Sequence, residues 1–335
     1  MEHRKLTRYL ISLMMILIMV GLAEWTNEKE ILFPEMTALI IGLLIIDKRV
    51  WNVKRWQIIL LMTLGAVAGI CIVRYSPLPY VVNLCAAFVF AGASLLISRA
   101  TLIPLISACV LPVLLHTESI IYPIAVFSMS VSVVLVQIIL EKCGIRNRMP
   151  KSVGRKTGKE DIIRWLILFC FVGALAGLAV SMDYPYLILP PLMVTFVEMV
   201  NSKAGFKNRP TQVFLFLATA ATLGTVLQIV GHHHLHLPES IIALTIAAIL
   251  FLIFEWTGKY FAPAGALAFI PMLLPQEGLG WLPLEASIGA ALFITIAMVV
   301  FQKCYKWNRA QLIFCATPTL LREYMNRKKR KKQIE

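Results

Sequence analysis

Charged residues are scarce in this sequence, and the few it has are mostly basic. Only 15% of the 335 residues are Asp, Glu, Lys or Arg, whereas a soluble domain has about a quarter. Hydrophobic residues make up 59% of the chain, and the mean hydropathy is +0.78. Apolar runs of about 15 to 22 residues recur from end to end, a length typical of membrane-spanning helices. The composition therefore predicts an all-α polytopic membrane protein.

The sequence also lacks paired cysteines and the short motifs of common enzymes. Its seven cysteines are scattered without a CxxC pair, and most fall inside apolar runs, so neither disulfides nor zinc binding is expected. No P-loop, GxSxG or HExxH motif is present. We therefore expect a protein that is not an enzyme and has no cofactor.

The net charge of +14 comes from five short basic segments. The positive-inside rule places all five in the cytoplasm of a cell bearing this protein in its inner or plasma membrane, together with both termini. These charges indicate topology and contact with anionic lipids, and do not indicate nucleic-acid binding. The segments are residues 3–8, 47–55, 141–161, 201–209 and 326–333.

About twelve crossings are expected, divided equally between two halves. The first half, residues 1–143, and the second half, residues 162–304, are joined by a basic linker at 144–161, and a basic tail follows at 305–335. The expected crossings are 8–24, 31–46, 56–73, 80–97, 101–115 and 119–140, then 162–181, 186–200, 211–230, 240–256, 261–275 and 284–302.

Two of these segments are short and marked by prolines. At 1.5 Å per residue, the roughly 13 residues around 261–275 cover about 20 Å, against a hydrocarbon core of about 30 Å. Short segments of this kind place helix ends inside the membrane, where they must face protein or a water-filled cavity. The segment TLIPLISACVLPVLLH (101–116) has Pro104 and Pro112 at the same spacing as Pro263 and Pro271.

The two halves match at six places in the same order, which indicates a duplication. Because each half has an even number of crossings, the halves are expected to be parallel and related by an axis along the membrane normal. The matches are FPEM (33–36) with PPLM (190–193), LPYVV (78–82) with LPESI (237–241), Pro104 with Pro263, Pro112 with Pro271, Glu118 with Glu277, and EKC (141–143) with QKC (302–304).

The stretch FAPAGALA, followed by a Trp281-containing loop and the small-residue run EASIGAALF, resembles the HPP family of integral membrane proteins. The resemblance covers roughly residues 186–303, and residues 31–142 show a weaker resemblance of the same kind. Phe261, Ala262 and Pro263 stand where the family has its His-Pro-Pro motif, so a role of that histidine has no carrier here. Some plant members are implicated in nitrite movement, so the resemblance implies a transporter or channel for small anions.

The short segments supply one set of candidate site residues. A helix that starts inside the membrane after residues 262–265 would present a positive dipole end to an anion, and Gly265 would allow close approach of the backbone. The alternative is a pair of kinked but ordinary helices. The candidate pathway residues are Pro104, Ser107, Pro112, Pro263, Ala264, Gly265 and Pro271.

Two carboxylates within apolar runs, Glu198 and Glu255, are candidates for proton coupling or gating at the inner mouth. The alternative is that each is an interfacial group paired with Lys203, Lys207 or Lys259. Asp183, Glu35 and Glu285 are expected to be solvated near the outer boundary.

The run GHHHLHL offers the weaker candidates for a metal site. Neutral imidazoles suit zinc, copper or nickel, but no cysteine and no acid other than Glu239 lies nearby, so a polar outer loop is the favoured interpretation. The candidate ligands are His232, His233, His234 and His236.

The sequence therefore predicts a transporter or channel for a small solute, with small anions such as nitrite among the candidates. Three alternatives stay open: a membrane subunit that needs a soluble partner, an intramembrane enzyme that modifies lipids, and a structural or assembly protein. The sequence also leaves open whether the chain forms a homo-oligomer.

Overall fold

The structure is a computed structural model that describes residues 2–149, 158–201 and 209–305, and all regular secondary structure in these ranges is helical. This confirms the all-α class. Eight of the helices are long and apolar enough to cross a membrane. They are α1 (Glu2–Thr26), α3 (Arg55–Tyr75), α4 (Tyr80–Ser98), α6 (Ile121–Lys142), α7 (Lys159–Ser181), α9 (Pro210–Leu227, extended by a π-helical turn over Gln228–His234), α10 (Glu239–Thr257) and α12 (Leu282–Tyr305).

The long helices each bury one face and expose an apolar one. On α1 the exposed side chains recur every fourth residue, from Leu6 and Leu10 to Ile18 and Leu22, which is the spacing of one helix face. Exposed apolar surface on this scale is unfavourable in water but favourable against lipid tails. The prediction of a multi-pass membrane protein is confirmed at this level.

Four short helices lie inside the ring of long ones. Apart from Glu35 in α2 and Glu198 in α8 they have no charged residue, which is typical of helices with no solvent-facing side. Each has a proline at or next to its first turn, where the missing N–H costs nothing. They are α2 (Pro34–Ile40, continued by a π-helical turn over Ile41–Ile45), α5 (Leu105–Leu115), α8 (Pro190–Asn201) and α11 (Ala262–Phe269, continued by a 3-10 turn over Ile270–Met272).

Among the residues that the structure describes, the four short helices are the most deeply buried. Every residue of α2 and α11 is buried, as are residues 190–200 of α8 and 105–113 of α5. Leu105, the first residue of α5, lies against Gly65 in the middle of α3. Gly65 is about ten residues, or about 15 Å, from the start of α3, which is half the thickness of the hydrocarbon core. α5 therefore begins deep inside the bundle.

Helices of the first half pack against helices of the second half in matching pairs. α1 packs against α10 and α4 against α7, while α2 packs against α11 and α5 against α8. Within each half, the third helix packs on the fifth and the sixth. In the first half α3 packs on α5 and α6, and in the second half α9 packs on α11 and α12. The helices of the two halves are therefore packed into one another over the described residues.

The helix boundaries refine the expected division of the chain. The first half was expected to end at residue 143, and α6 ends at Lys142. The linker was expected to reach residue 161, but α7 begins at Lys159, where Asp161 accepts a hydrogen bond from the Gly158 N–H and caps the helix. Residues 150–157 of the linker and 306–335 of the tail lie outside the described residues.

Candidate functional site

The first turns of the four short helices meet around one small cavity. Each helix contributes at least two side chains, and eight of the nine lining residues are apolar, proline or serine. The cavity has room for about 10 Å³, close to the lower limit for one water molecule. The lining residues are Glu35 and Ala38 from α2, Pro104 and Ser107 from the start of α5, Pro191 and Val194 from α8, and Ala262, Pro263 and Ala266 from α11.

Glu35 is the charged residue of this cavity. Its side chain is 1% exposed, so the expectation of a solvated carboxylate near the outer boundary was wrong. The Ser107 hydroxyl donates a hydrogen bond to Glu35 Oε1, whereas Glu35 Oε2 is buried without a hydrogen-bond partner. A buried carboxylate with one neutral donor is costly in its ionised form, so this carboxyl group has a reason to bind a proton or a ligand.

Three of the predicted pathway residues line the cavity, namely Pro104, Ser107 and Pro263. The other four do not. Gly265 faces α2, where an added Cβ would lie 2.4 Å from the Ile41 side chain, so its role is close helix packing. The four residues off the cavity are Pro112, Ala264, Gly265 and Pro271.

Glu198 is buried, but it lies toward the other end of α8 from the cavity. The indole N–H of Trp51 donates a hydrogen bond to Glu198 Oε1 at 3.2 Å. Trp51 belongs to the 46–54 loop, and Asn52 of the same loop bonds to Thr101 ahead of α5. Glu198 is thus held by an aromatic residue of the first half, and no described lysine pairs with it.

Glu255 lies at the protein surface and is joined to α1. Lys5 Nζ lies 2.7 Å from its carboxylate, and the hydroxyl groups of Tyr9 and Tyr260 donate to the same carboxylate. Its partner was expected among nearby lysines, but Lys259 donates to Gln212 instead. Lys203 and Lys207 lie outside the described residues.

The two other acids expected near the outer boundary differ from one another. Asp183 is exposed, as expected, and adopts a left-handed backbone with φ of 58°. Glu285 is 9% exposed and accepts a hydrogen bond from the Tyr186 N–H at 3.0 Å. The expectation that Glu285 is solvated was therefore wrong.

The histidine run ends the π-helical turn after α9. His232 lies against the loop, with Nδ1 3.1 Å from the Leu237 carbonyl oxygen and Nε2 3.7 Å from the Glu239 carboxylate. His234 and His236 are exposed. Over the ranges that the structure describes, no group of three or more His, Cys, Asp or Glu is placed to hold a metal ion.

A network of ion pairs closes the end of the bundle that carries the 46–54 loop; we call this the basic end. Glu141 accepts hydrogen bonds from Arg55, Arg146 and Gln137, and Arg146 also donates to the Ile46 carbonyl oxygen at 2.8 Å. Burial lowers the pKa of the Arg146 guanidinium, and Glu141 opposes that shift.

Sequence reasoning missed Glu35 and the lining residues of α2 and α8. From the sequence, ordinary crossings are expected at 31–46 and 186–200, although each segment is short, apolar and opened by proline in FPEM and PPLM. The same signal that marked 101–115 and 261–275 was present there. The chain matches no protein-family model, no curated protein and no solved structure.

Proposed function

We propose that this protein is a membrane transporter or channel for a small solute, with the central cavity as the closed middle of the pathway. The observation that carries the proposal is the meeting of four short, almost entirely buried helices at one cavity lined by a buried carboxyl group. Helix ends in the middle of a membrane are costly unless they face a site that uses them.

A small anion such as nitrite is the solute that the site suits best. The first turns of α5, α8 and α11 all face the cavity, and each presents the positive end of a helix dipole. The size of the cavity fits a solute of a few atoms at most once the surrounding side chains move. Apolar walls from Ala38, Val194 and Ala266 exclude larger polar molecules.

The two halves are proposed to be parallel copies of one six-segment unit. The order of segments is the same in each half, long–short–long–long–short–long, and the packing pairs match between the halves. The unit is proposed to belong with the HPP family, on the FAPAGALA segment that forms α11. By the positive-inside rule the basic end faces the cytoplasm, where anionic lipids would meet it.

The test is anion flux into liposomes that contain the purified protein. Uptake of nitrite, nitrate, chloride and formate is measured with and without a pH gradient, and protein-free liposomes supply the background. Faster uptake of at least one anion supports the proposal. If no anion moves through a folded, monodisperse preparation, the proposal is wrong, and lipid substrates or a soluble partner would be sought next.

Two alanines of α11 offer a test of where the pathway lies. Ala266 lines the cavity, whereas Ala264 lies on the same helix, is equally buried and does not line it. Ala266→Val fills the cavity and is expected to reduce flux about tenfold or more, because the two methyl groups that it adds exceed a cavity with room for about one water molecule. Ala264→Val is the matched control for overpacking. Equal losses in both variants would contradict the placement.

A further inference from the structure

We propose that Glu35 is the proton-binding residue of a proton–anion symport, in which one proton and one small monovalent anion cross the membrane together. The inference rests on the proposed function, since it assumes that an anion passes through the central cavity. It adds the coupling ion and the residue that carries it.

The geometry at Glu35 is that of a group with an unused binding position. Glu35 lines the cavity and is 1% exposed, Oε1 accepts the Ser107 hydroxyl, and Oε2 has no partner. A proton on Oε2 would make the carboxyl group neutral and give it a donor directed at a solute. The carboxylate oxygen without a partner therefore belongs to a residue that lines the cavity.

No described cation neutralises Glu35. None of the nine cavity-lining residues is basic. On the neighbouring helix α1, the Arg8 guanidinium pairs with Asp47. The other buried acid of the central helices, Glu198 of α8, accepts a hydrogen bond from Trp51.

The remaining titratable neighbours of Glu35 are weak acids that stay neutral. Tyr122 of α6 donates its hydroxyl to the Ala108 carbonyl oxygen at 3.1 Å, and Cys109 of α5 is a buried free thiol. The α11 sequence APAGALAF contains no titratable side chain. Glu35 can therefore change its charge without an ion-pair partner that would hold it ionised.

The second half shows that the fold does not require this polar pair. By the match of FPEM with PPLM, Leu192 stands where Glu35 does, and by the match of Pro104 with Pro263, Ala266 stands where Ser107 does. Both counterparts are buried. A buried acid and its hydroxyl donor that only one half carries are better explained by chemistry than by packing.

The coupling follows from competition for the same positive helix ends. In its ionised form the Glu35 carboxylate is the anion that faces the first turns of α5 and α11, and it repels a second anion. When it takes a proton from the aqueous side, the cavity can accept a small anion beside the neutral acid. Both leave on the other side, and no net charge moves in the cycle.

The test uses nitrate as the probe, because its acid is fully ionised and does not cross lipid as a neutral molecule. Wild-type proteoliposomes are given an inward proton gradient of about one pH unit, which at one proton per anion can drive about a tenfold accumulation. Glu35→Gln cannot titrate. We expect this variant to lose gradient-driven accumulation while it keeps exchange of labelled nitrate for internal nitrate.

Asp183→Asn is the matched control, because it removes an exposed carboxylate away from the cavity, and we expect it to retain accumulation. Accumulation by Glu35→Gln equal to that of wild type would overturn the inference. Wild-type flux that does not respond to the proton gradient would also overturn it, while the proposed function would stand. No wild-type flux of any anion would instead contradict the proposed function.

A second measurement decides the matter if Glu35→Gln does not fold. A pH-sensitive dye sealed inside wild-type vesicles reports the protons that enter with nitrate. About one proton per nitrate is expected, and the rate of acidification should fall in Ser107→Ala, which takes the hydroxyl donor from Glu35. Nitrate uptake with no accompanying acidification would contradict the inference.

Discussion

Trp51 and Glu198 join the two halves of the chain beside the central helices. The indole N–H donates to the Glu198 carboxyl group at 3.2 Å, and the Trp51 ring lies against Gly42 of α2, where a Cβ would come within 2.5 Å of it. Trp51 is 4% exposed. The indole therefore fills the space between α2 and α8 on the basic-end side of the cavity.

A double-mutant cycle measures how much this contact stabilises the protein. Trp51→Phe and Glu198→Leu each leave one buried polar group without its partner, which costs about 1–3 kcal/mol. The double variant removes both groups, so its cost is expected to be smaller than the sum by about 0.5–3 kcal/mol. The free energy of unfolding in detergent is the measurement. Strictly additive costs would show that the two side chains are not coupled.

Two glycines mark where long helices touch short ones through the backbone. An added Cβ at Gly69 would lie 2.4 Å from the Cys109 carbonyl oxygen, and at Gly224 2.1 Å from that of Ala268. Alanine at either position must push α3 from α5, or α9 from α11. Gly69→Ala and Gly224→Ala are each expected to cost about 1–3 kcal/mol, seen as lower thermal stability in detergent.

Gly177→Ala is the control for these two variants. Gly177 lies in α7, and nothing lies within 4 Å of an added Cβ there. Alanine in a helix interior is favoured over glycine by up to about 1 kcal/mol, so this variant should match or exceed wild type. Equal destabilisation by all three alanines would contradict the packing that we describe.

Glu24 is expected to hold the start of α10. Its two carboxylate oxygens accept hydrogen bonds from the N–H groups of Glu239 and Ser240, each at 3.2 Å. Loss of a helix-capping carboxylate costs about 0.5–2 kcal/mol. Glu24→Ala should therefore expose the first turn of α10 to faster hydrogen exchange, whereas Glu28→Ala should not. Unchanged exchange at Glu239 and Ser240 would contradict this role.

Two acids with cationic partners should differ sharply in their contribution to stability. Glu141 is buried with Arg146, whereas Glu255 and Lys5 are both well exposed. Breaking a buried pair leaves an uncompensated charge and costs about 3–5 kcal/mol, while an exposed pair is worth about 0–1 kcal/mol. Glu141→Gln is expected to lower thermal stability strongly and Glu255→Gln hardly at all. The reverse order would contradict the burial that distinguishes them.

The helical framework and part of the site could be predicted from the sequence. The proline-bounded segments at 101–115 and 261–275 predicted α5 and α11, because short apolar runs bounded by prolines leave few other structures inside a membrane. Pro104, Ser107 and Pro263 were found for the same reason. Each of these signals lies within one short segment, and its interpretation needs no contact with a distant part of the chain.

The rest of the site depends on contacts between distant parts of the chain. Glu35 stands five residues after a polar loop residue, Glu30, and looks solvated in the sequence, but the packing of α11 and α6 on α2 buries it. Glu255 pairs with Lys5, which lies 250 positions away in the sequence. The neighbours of Glu35 and of Glu255 cannot be predicted from the periodicity or spacing of residues in the sequence.

The pairing of α2 with α11 also governs how the protein can be made. The ribosome delivers α2 long before α11, yet α2 has no face suited to water, and α11 is the helix that it packs against most extensively. A partly synthesised chain is therefore a natural target for membrane quality control. The protein completes its centre only after α11 has been synthesised.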